Sequence, residues 1–220
     1  MRLHIASMSL LALCRTVAAV PAIAQEVTYD NGPINGEVDA WTINFGFAVS
    51  DTFHLASPTT LNGISIWSWE EPGDNVTSVE VAIGNRGYFS NNLFDGTVSL
   101  SQSNCFTNNF GFEVCWDRGN FNGPSLGTGN YYLTLENATT EEGYPLYWDE
   151  NSGIGCISQG CPSSAQENTL GTIPSEAFTL YGNNTTTTTS GTSTPEPSSI
   201  VLFGSTILGL AGVLRRKIRR

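Results

Sequence analysis

Apolar and polar residues alternate in short runs along most of the chain, and no stretch keeps a helical period for long. "WTINFGFAVSDTFHL" (41–55), "GISIWSWE" (63–70), "SVEVAIG" (78–84) and "GTVSLS" (96–101) are rich in β-branched and aromatic residues. "FEVCW" (112–116), "NYYLTLE" (130–136), "PLYWD" (145–149) and "EAFTLYG" (176–182) continue in the same style. Period-two runs of this composition predict strands, because successive side chains on a strand point to opposite faces of a sheet. Between them lie "PGDN", "GNRG", "DRGN" and "GTGN", which favour turns. Many short strands at this spacing predict an all-β domain over residues 25–182, a single jelly-roll-like β-sandwich.

The two ends break this pattern. Arg2, an apolar run over 5–13 and the small residues of "AIA" (22–24) form a secretory signal peptide over residues 1–24. Residues 183–194, "NNTTTTTSGTST", contain no apolar side chain and predict a linker. Ser198–Leu214 then runs for 17 residues without a charge. As a helix it reaches about 25 Å, slightly short of the roughly 30 Å hydrocarbon core of a bilayer. Arg215, Arg216, Lys217, Arg219 and Arg220 close the chain; they can snorkel to cover the deficit, and they place the terminus in the cytoplasm with the domain outside. A C-terminal transmembrane helix is therefore expected.

Charge and cysteine usage agree with export. Between residues 25 and 194 there are 19 Asp and Glu against only Arg86 and Arg118, a formal balance of −17 with no lysine. Such a surface repels phosphate backbones, so no nucleic-acid partner is expected. Cys105, Cys115, Cys156 and Cys161 remain after the signal peptide, an even number that predicts disulfides in an exported chain. Three pairings are open, and proximity in sequence favours Cys105 with Cys115 and Cys156 with Cys161.

Pro195, Glu196 and Pro197 stand just ahead of the apolar span. The two prolines keep this segment extended and stop the helix from starting earlier. The ordered trio of Pro-Glu-Pro, apolar span and terminal arginine cluster (195–220) resembles the PEP-CTERM sorting signal read by exosortases. The stretches "GNYYLTLENAT" and "PLYWDENSG" are similar to the ectodomains of other proteins carrying that signal. The resemblance implies a protein of a Gram-negative-type bacterium, anchored in the inner membrane until an exosortase-type enzyme cuts near the motif. It also implies a destination at the cell surface or in the matrix, in association with extracellular polysaccharide and biofilm.

Candidate chemistry in the domain is sparse. His54 is the one histidine beyond the signal peptide, and serine- or cysteine-based catalysis would rest on it alone. The carboxylates Glu70, Glu71, Glu113, Asp117, Asp149 and Glu150 supply residue types for a glycosidase, yet their spacing singles out no pair. A non-enzymatic role is expected. In "GISIWSWE", Ile64, Ile66 and Ser68 share one strand face, and Ser65, Trp67 and Trp69 share the other. Were the isoleucines in the core, Trp67 and Trp69 would stand about 7 Å apart on an outer face, where sugar rings could stack, with Tyr132 extending the platform. Were both faces buried, the tryptophans would be core. Asp149, Glu150 and Asn151 gather oxygen donors on a loop and are a candidate calcium site; the reading favoured over it is a solvated turn.

Overall fold

The computed structural model describes residues 25–185 other than 89, 91 and 154–157. The expected signal peptide, sorting motif, transmembrane helix and basic tail, and all of the expected linker beyond residue 185, lie outside the described residues. Among the described residues no helix is long and apolar enough to cross a membrane.

Fourteen strands are described: β1 (Glu26–Asp30), β2 (Ala40–Thr42), β3 (Ala48–Leu55), β4 (Thr59–Glu70), β5 (Val76–Gly84), β6 (Asn92–Ser99), β7 (Ser101–Thr107), β8 (Glu113–Asn120), β9 (Ser125–Leu126), β10 (Gly129–Thr140), β11 (Tyr147–Asp149), β12 (Ala165–Glu167), β13 (Gly171–Ile173) and β14 (Phe178–Asn184). They form two antiparallel sheets. In the first, β1, β14, β4, β8 and β7 lie side by side, with β11 and β2 continuing beyond β14 and β9 beyond β8. In the second the order is β13, β12, β3, β10, β5, β6.

Alternation decides what fills the space between the sheets. Ile64 and Ile66 of β4, and Leu180 and Phe178 of β14, point inward from the first sheet. Val49, Phe53 and Leu55 of β3, Val79, Val81 and Ile83 of β5, and Leu133 and Leu135 of β10 point inward from the second. Phe53 meets Tyr29 at 6.0 Å and Tyr131 at 5.7 Å between ring centroids, so aromatic contacts span the two sheets. The expected all-β class is present, and the isoleucines of β4 face the core.

Three stretches differ from the sequence expectation. The run 41–55 is interrupted by Phe45 and Gly46, whose φ values of 56° and 89° turn the chain between β2 and β3. "DRGN" does not turn but continues β8 to Asn120. At Gly119 an added Cβ would lie 2.5 Å from Val98 Cγ1 and 2.7 Å from the Ser99 carbonyl. The glycine therefore admits the opposite sheet rather than bending the chain. Lastly, β14 extends two residues past 182, with Asn183 and Asn184 paired to Thr60 and Thr59.

Cys105 and Cys115 form a disulfide that ties the edge strand β7 to β8. The register slips between Ser103 and Phe106, and that bulge, with Asn104 at φ 55°, sets the exposed Cys105 against the buried Cys115. Cys161 is also disulfide-bonded, and Cys156 lies outside the described residues.

Candidate functional site

The outer face of the first sheet can be laid out row by row from the strand registers. Asp30, Thr179, Ser65, Arg118 and Ser101 are successive partners across β1, β14, β4, β8 and β7. Two residues along β4, Trp67 is the register partner of Trp116 on β8, and Trp116 in turn of Ser103 on β7. A polar row therefore lies beside an aromatic row on one surface, about 7 Å apart along the strands.

Five tryptophans are present, and their indole N–H groups divide them. Trp41 donates to Glu150 Oε1 at 3.1 Å, Trp69 to Asp149 Oδ1 at 2.8 Å, and Trp148 to the Ala177 carbonyl at 2.9 Å. Buried indoles ordinarily find such a partner. Trp67 and Trp116 are half-buried, and among the described residues neither N–H has a hydrogen-bond partner.

Trp67 and Trp69 share a strand face, yet they do not form one open platform. Trp69 is 6% exposed. Phe110 stacks on it at 5.8 Å, and Phe112 lies at 5.9 Å, because the turn between β7 and β8 folds back over this end of the sheet. Among the described residues the one ring in contact with Trp67 is that of Phe106, at 6.5 Å, and Trp67 borders a depression of about 340 Å³ together with Asp30, Gly32, Pro33, Ser65 and Thr179. Tyr132 cannot extend this surface. It projects from β10, whose outer face belongs to the second sheet, and it lines a separate depression with His54 and Asn130. His54 itself is half-buried, its Nδ1 within 2.8 Å of Asn130 Oδ1.

Arg118 borders the aromatic row. Its guanidinium lies 4.2 Å over the Tyr181 ring and 5.9 Å from that of Trp116, and Nη2 donates to Gln25 Oε1. This contact holds a cation flat against the sheet.

The candidate calcium residues are turned toward other work. Asp149 accepts from Trp69 and, at 3.1 Å, from the Gly36 N–H. Glu150 accepts from Trp41 and from Asn35 Nδ2 at 3.3 Å. Asn151 Oδ1 accepts from the Gly153 N–H, while its Nδ2 is buried without a partner. Among the described residues no three His, Cys, Asp or Glu side chains are grouped to hold a metal ion.

Two groups of buried acids were not foreseen. Glu70 (1% exposed) and Asp117 (0%) both accept from the Ser68 hydroxyl inside the sandwich. Burial pushes Glu70 up to about 7, and burial plus the neighbouring Glu70 raises Asp117 well above the usual carboxylate range. In the second group, Asp51 points inward from β3 and accepts from Ser163, Ser175, Asn31 and the N–H groups of Thr52 and Glu176. Burial raises it to about 6 despite those bonds. Burial likewise takes Asp149 to about 7. Glu176 is fully buried with both oxygens unpartnered, and it is held well up first by burial and then by the charges of Asp51, Glu150, Asp149 and Asp39. Nothing local to "VSDTF" announces that Asp51 is tolerable in the core, since its hydrogen-bond partners come from four segments, at Asn31, Thr52, Ser163 and Ser175.

No family model and no curated protein matches the chain.

Proposed function

We propose that the chain is an exported, non-catalytic cell-surface or extracellular-matrix protein. Residues 1–24 direct export, a transmembrane helix through Ser198–Leu214 holds the precursor in the inner membrane, and an exosortase-type enzyme processes it near Pro195-Glu196-Pro197. The observation that carries this reading is the order of parts. A disulfide-closed all-β domain ends at Asn184 and is followed by a threonine-rich stretch, the Pro-Glu-Pro motif, one apolar span and five basic residues in the last six. Intact-mass analysis of the protein recovered from its host tests it. The expected mass lacks residues 1–24 and the span from 198 onward; a mature protein retaining residues 198–220 would overturn the processing step.

The ectodomain in this reading is jelly-roll-like, and extracellular polysaccharide is its partner. A lectin-like, carbohydrate-binding role is the second reading, favoured by one observation: Trp67 is half-buried beside an open depression with its indole N–H unpartnered. A secreted glycoside hydrolase draws little support. Glu70 and Asp117, which do come together, lie inside the sandwich at 1% and 0% exposure, where a glycosidic bond has no access.

A further inference from the structure

We infer that Trp67 and Trp116, with the polar row Asp30, Thr179 and Arg118 beside them, form a binding site for a neutral polysaccharide of pyranose rings. The inference rests on the carbohydrate-binding reading and gives it an address: a site on the outer face of the first sheet that excludes Trp69 and Tyr132.

Four features carry it. First, Trp67 and Trp116 are register partners across β4 and β8, so both side chains rise from one face of the sheet, on strands whose backbones run about 5 Å apart. Half-buried indoles on one sheet face offer apolar surface to the C–H faces of successive pyranose rings. Second, among the described residues each indole N–H is without a partner, whereas the other three tryptophans have each satisfied theirs within the fold. An N–H left free beside a ring face is a donor that a sugar hydroxyl can use. Third, the depression bordering Trp67 brings in Asp30 and Thr179. Asp30 Oδ1 accepts from the Gly32 N–H at 3.0 Å, which orients the carboxylate and leaves Oδ2 to accept from a vicinal diol. Arg118 closes the row on the far side, held by Tyr181 and Gln25. Fourth, the charge of the domain sets the class of polymer. With 19 carboxylates against two arginines between residues 25 and 194, a polyuronate would be repelled as it approached, and a neutral chain would not.

The hydrophobic contribution comes from water released between ring and indole, and the hydrogen bonds supply orientation. Removing either indole removes one stacking position. Removing Asp30 costs only hydrogen bonds at a solvent-exposed edge, so its effect is smaller.

The experiment uses the full-length chain in a mild detergent. Retardation in affinity gels is measured with a soluble β-glucan, with a galactomannan and with alginate as the polyuronate. Expected is retardation by at least one neutral polymer and none by alginate, with each of Trp67→Ala and Trp116→Ala weakening binding by about tenfold or more, a change of about 1.4 kcal/mol. Trp116→Phe should recover part of the affinity and Asp30→Asn should lose a few-fold, on the order of a single hydrogen bond. Should an alanine variant melt early, oxidative footprinting of the wild-type chain replaces it, and the bound polymer should protect Trp67 and Trp116 together. Binding of alginate alone, wild-type affinity in a folded Trp116→Ala variant, or no retardation by either neutral polymer would each overturn the site. The sorting reading is decided separately by intact mass, so failure here leaves that measurement standing.

Discussion

The buried carboxylates fix how the domain responds to pH. Asp51, Glu70 and Asp149 hold their protons to about 6, 7 and 7, while the same groups in an unfolded chain release theirs near pH 4 (about 3.9 for Asp and 4.3 for Glu). The folded state therefore binds more protons across that interval, and stability falls as pH rises through it. The contribution is fully present below about pH 4 and is lost by about pH 7. Asp117 and Glu176, also raised well above the usual carboxylate range by burial and neighbouring acids, add to the trend in the same direction. Asp74 and Glu167 act oppositely. Burial pushes both up, but hydrogen bonds from threonine hydroxyls and backbone N–H groups outweigh it and lower them, so their contribution is lost as pH falls through the acid range. The expected thermal midpoint is higher at pH 5 than at pH 8, by roughly 5 °C if the net linkage is about 2 kcal/mol. A midpoint that is flat or rises toward pH 8 would mean that the acids are solvated in the native state.

Among the elements, β7 and β8 show how a strand's neighbours decide its role. The sequence of β7, "SQSNCFT", is polar and almost wholly exposed, so it lacks the alternation that would mark it as a strand. It is held by pairing with β8 and by the disulfide. Closing a loop of this length contributes about 3 kcal/mol in the chain-entropy model. A Cys105→Ser variant is expected to lose about that much in urea unfolding and to expose the β7 amides to exchange first. Unchanged stability would show that pairing alone suffices. Gly119 makes the complementary point. Its place in "DRGN" signals a turn, yet its lack of a side chain serves close contact with Val98 and Ser99 of the facing strand and the residue beside it. Gly119→Ala should destabilise the domain by about 1–3 kcal/mol through overpacking, read from the denaturation midpoint; a neutral result would mean that the sheets separate there without penalty.

At the level of the whole molecule, legibility followed burial. Strands with one face in the core, such as β4, β5 and β10, declare themselves by alternation. The three-residue strands β12 and β13 do not, because "AQE" and "GTI" are too short to show a period and exist only through pairing with β3 and each other. The same limit applied at the site. Parity on β4 separated Ile64 and Ile66 from Trp67 and Trp69, but nothing local to β4 announces that Phe110 and Phe112 cover one indole and spare the other. Trp116 was reachable only through register. "VCWDR" does alternate, so Trp116 and Arg118 could have been placed on one face; that this face is the one bearing Trp67 depends on the pairing of β8 with β4.

If the chain is exported as proposed, the place of the last strand has a consequence for the timing of folding. β14 does not sit at an edge but between β1 and β4, and Glu26, among the first residues of the domain, is paired with Gly182, among its last. A chain that emerges N-terminus first must leave β1 without a neighbour until residues 178–184 have crossed. On the proposed export route the domain therefore completes itself only once residues 178–184 have followed the rest of it across. Until then the facing edges of β1 and β4 stay unpaired, and a chain stopped short of residue 178 is expected to remain protease-sensitive throughout.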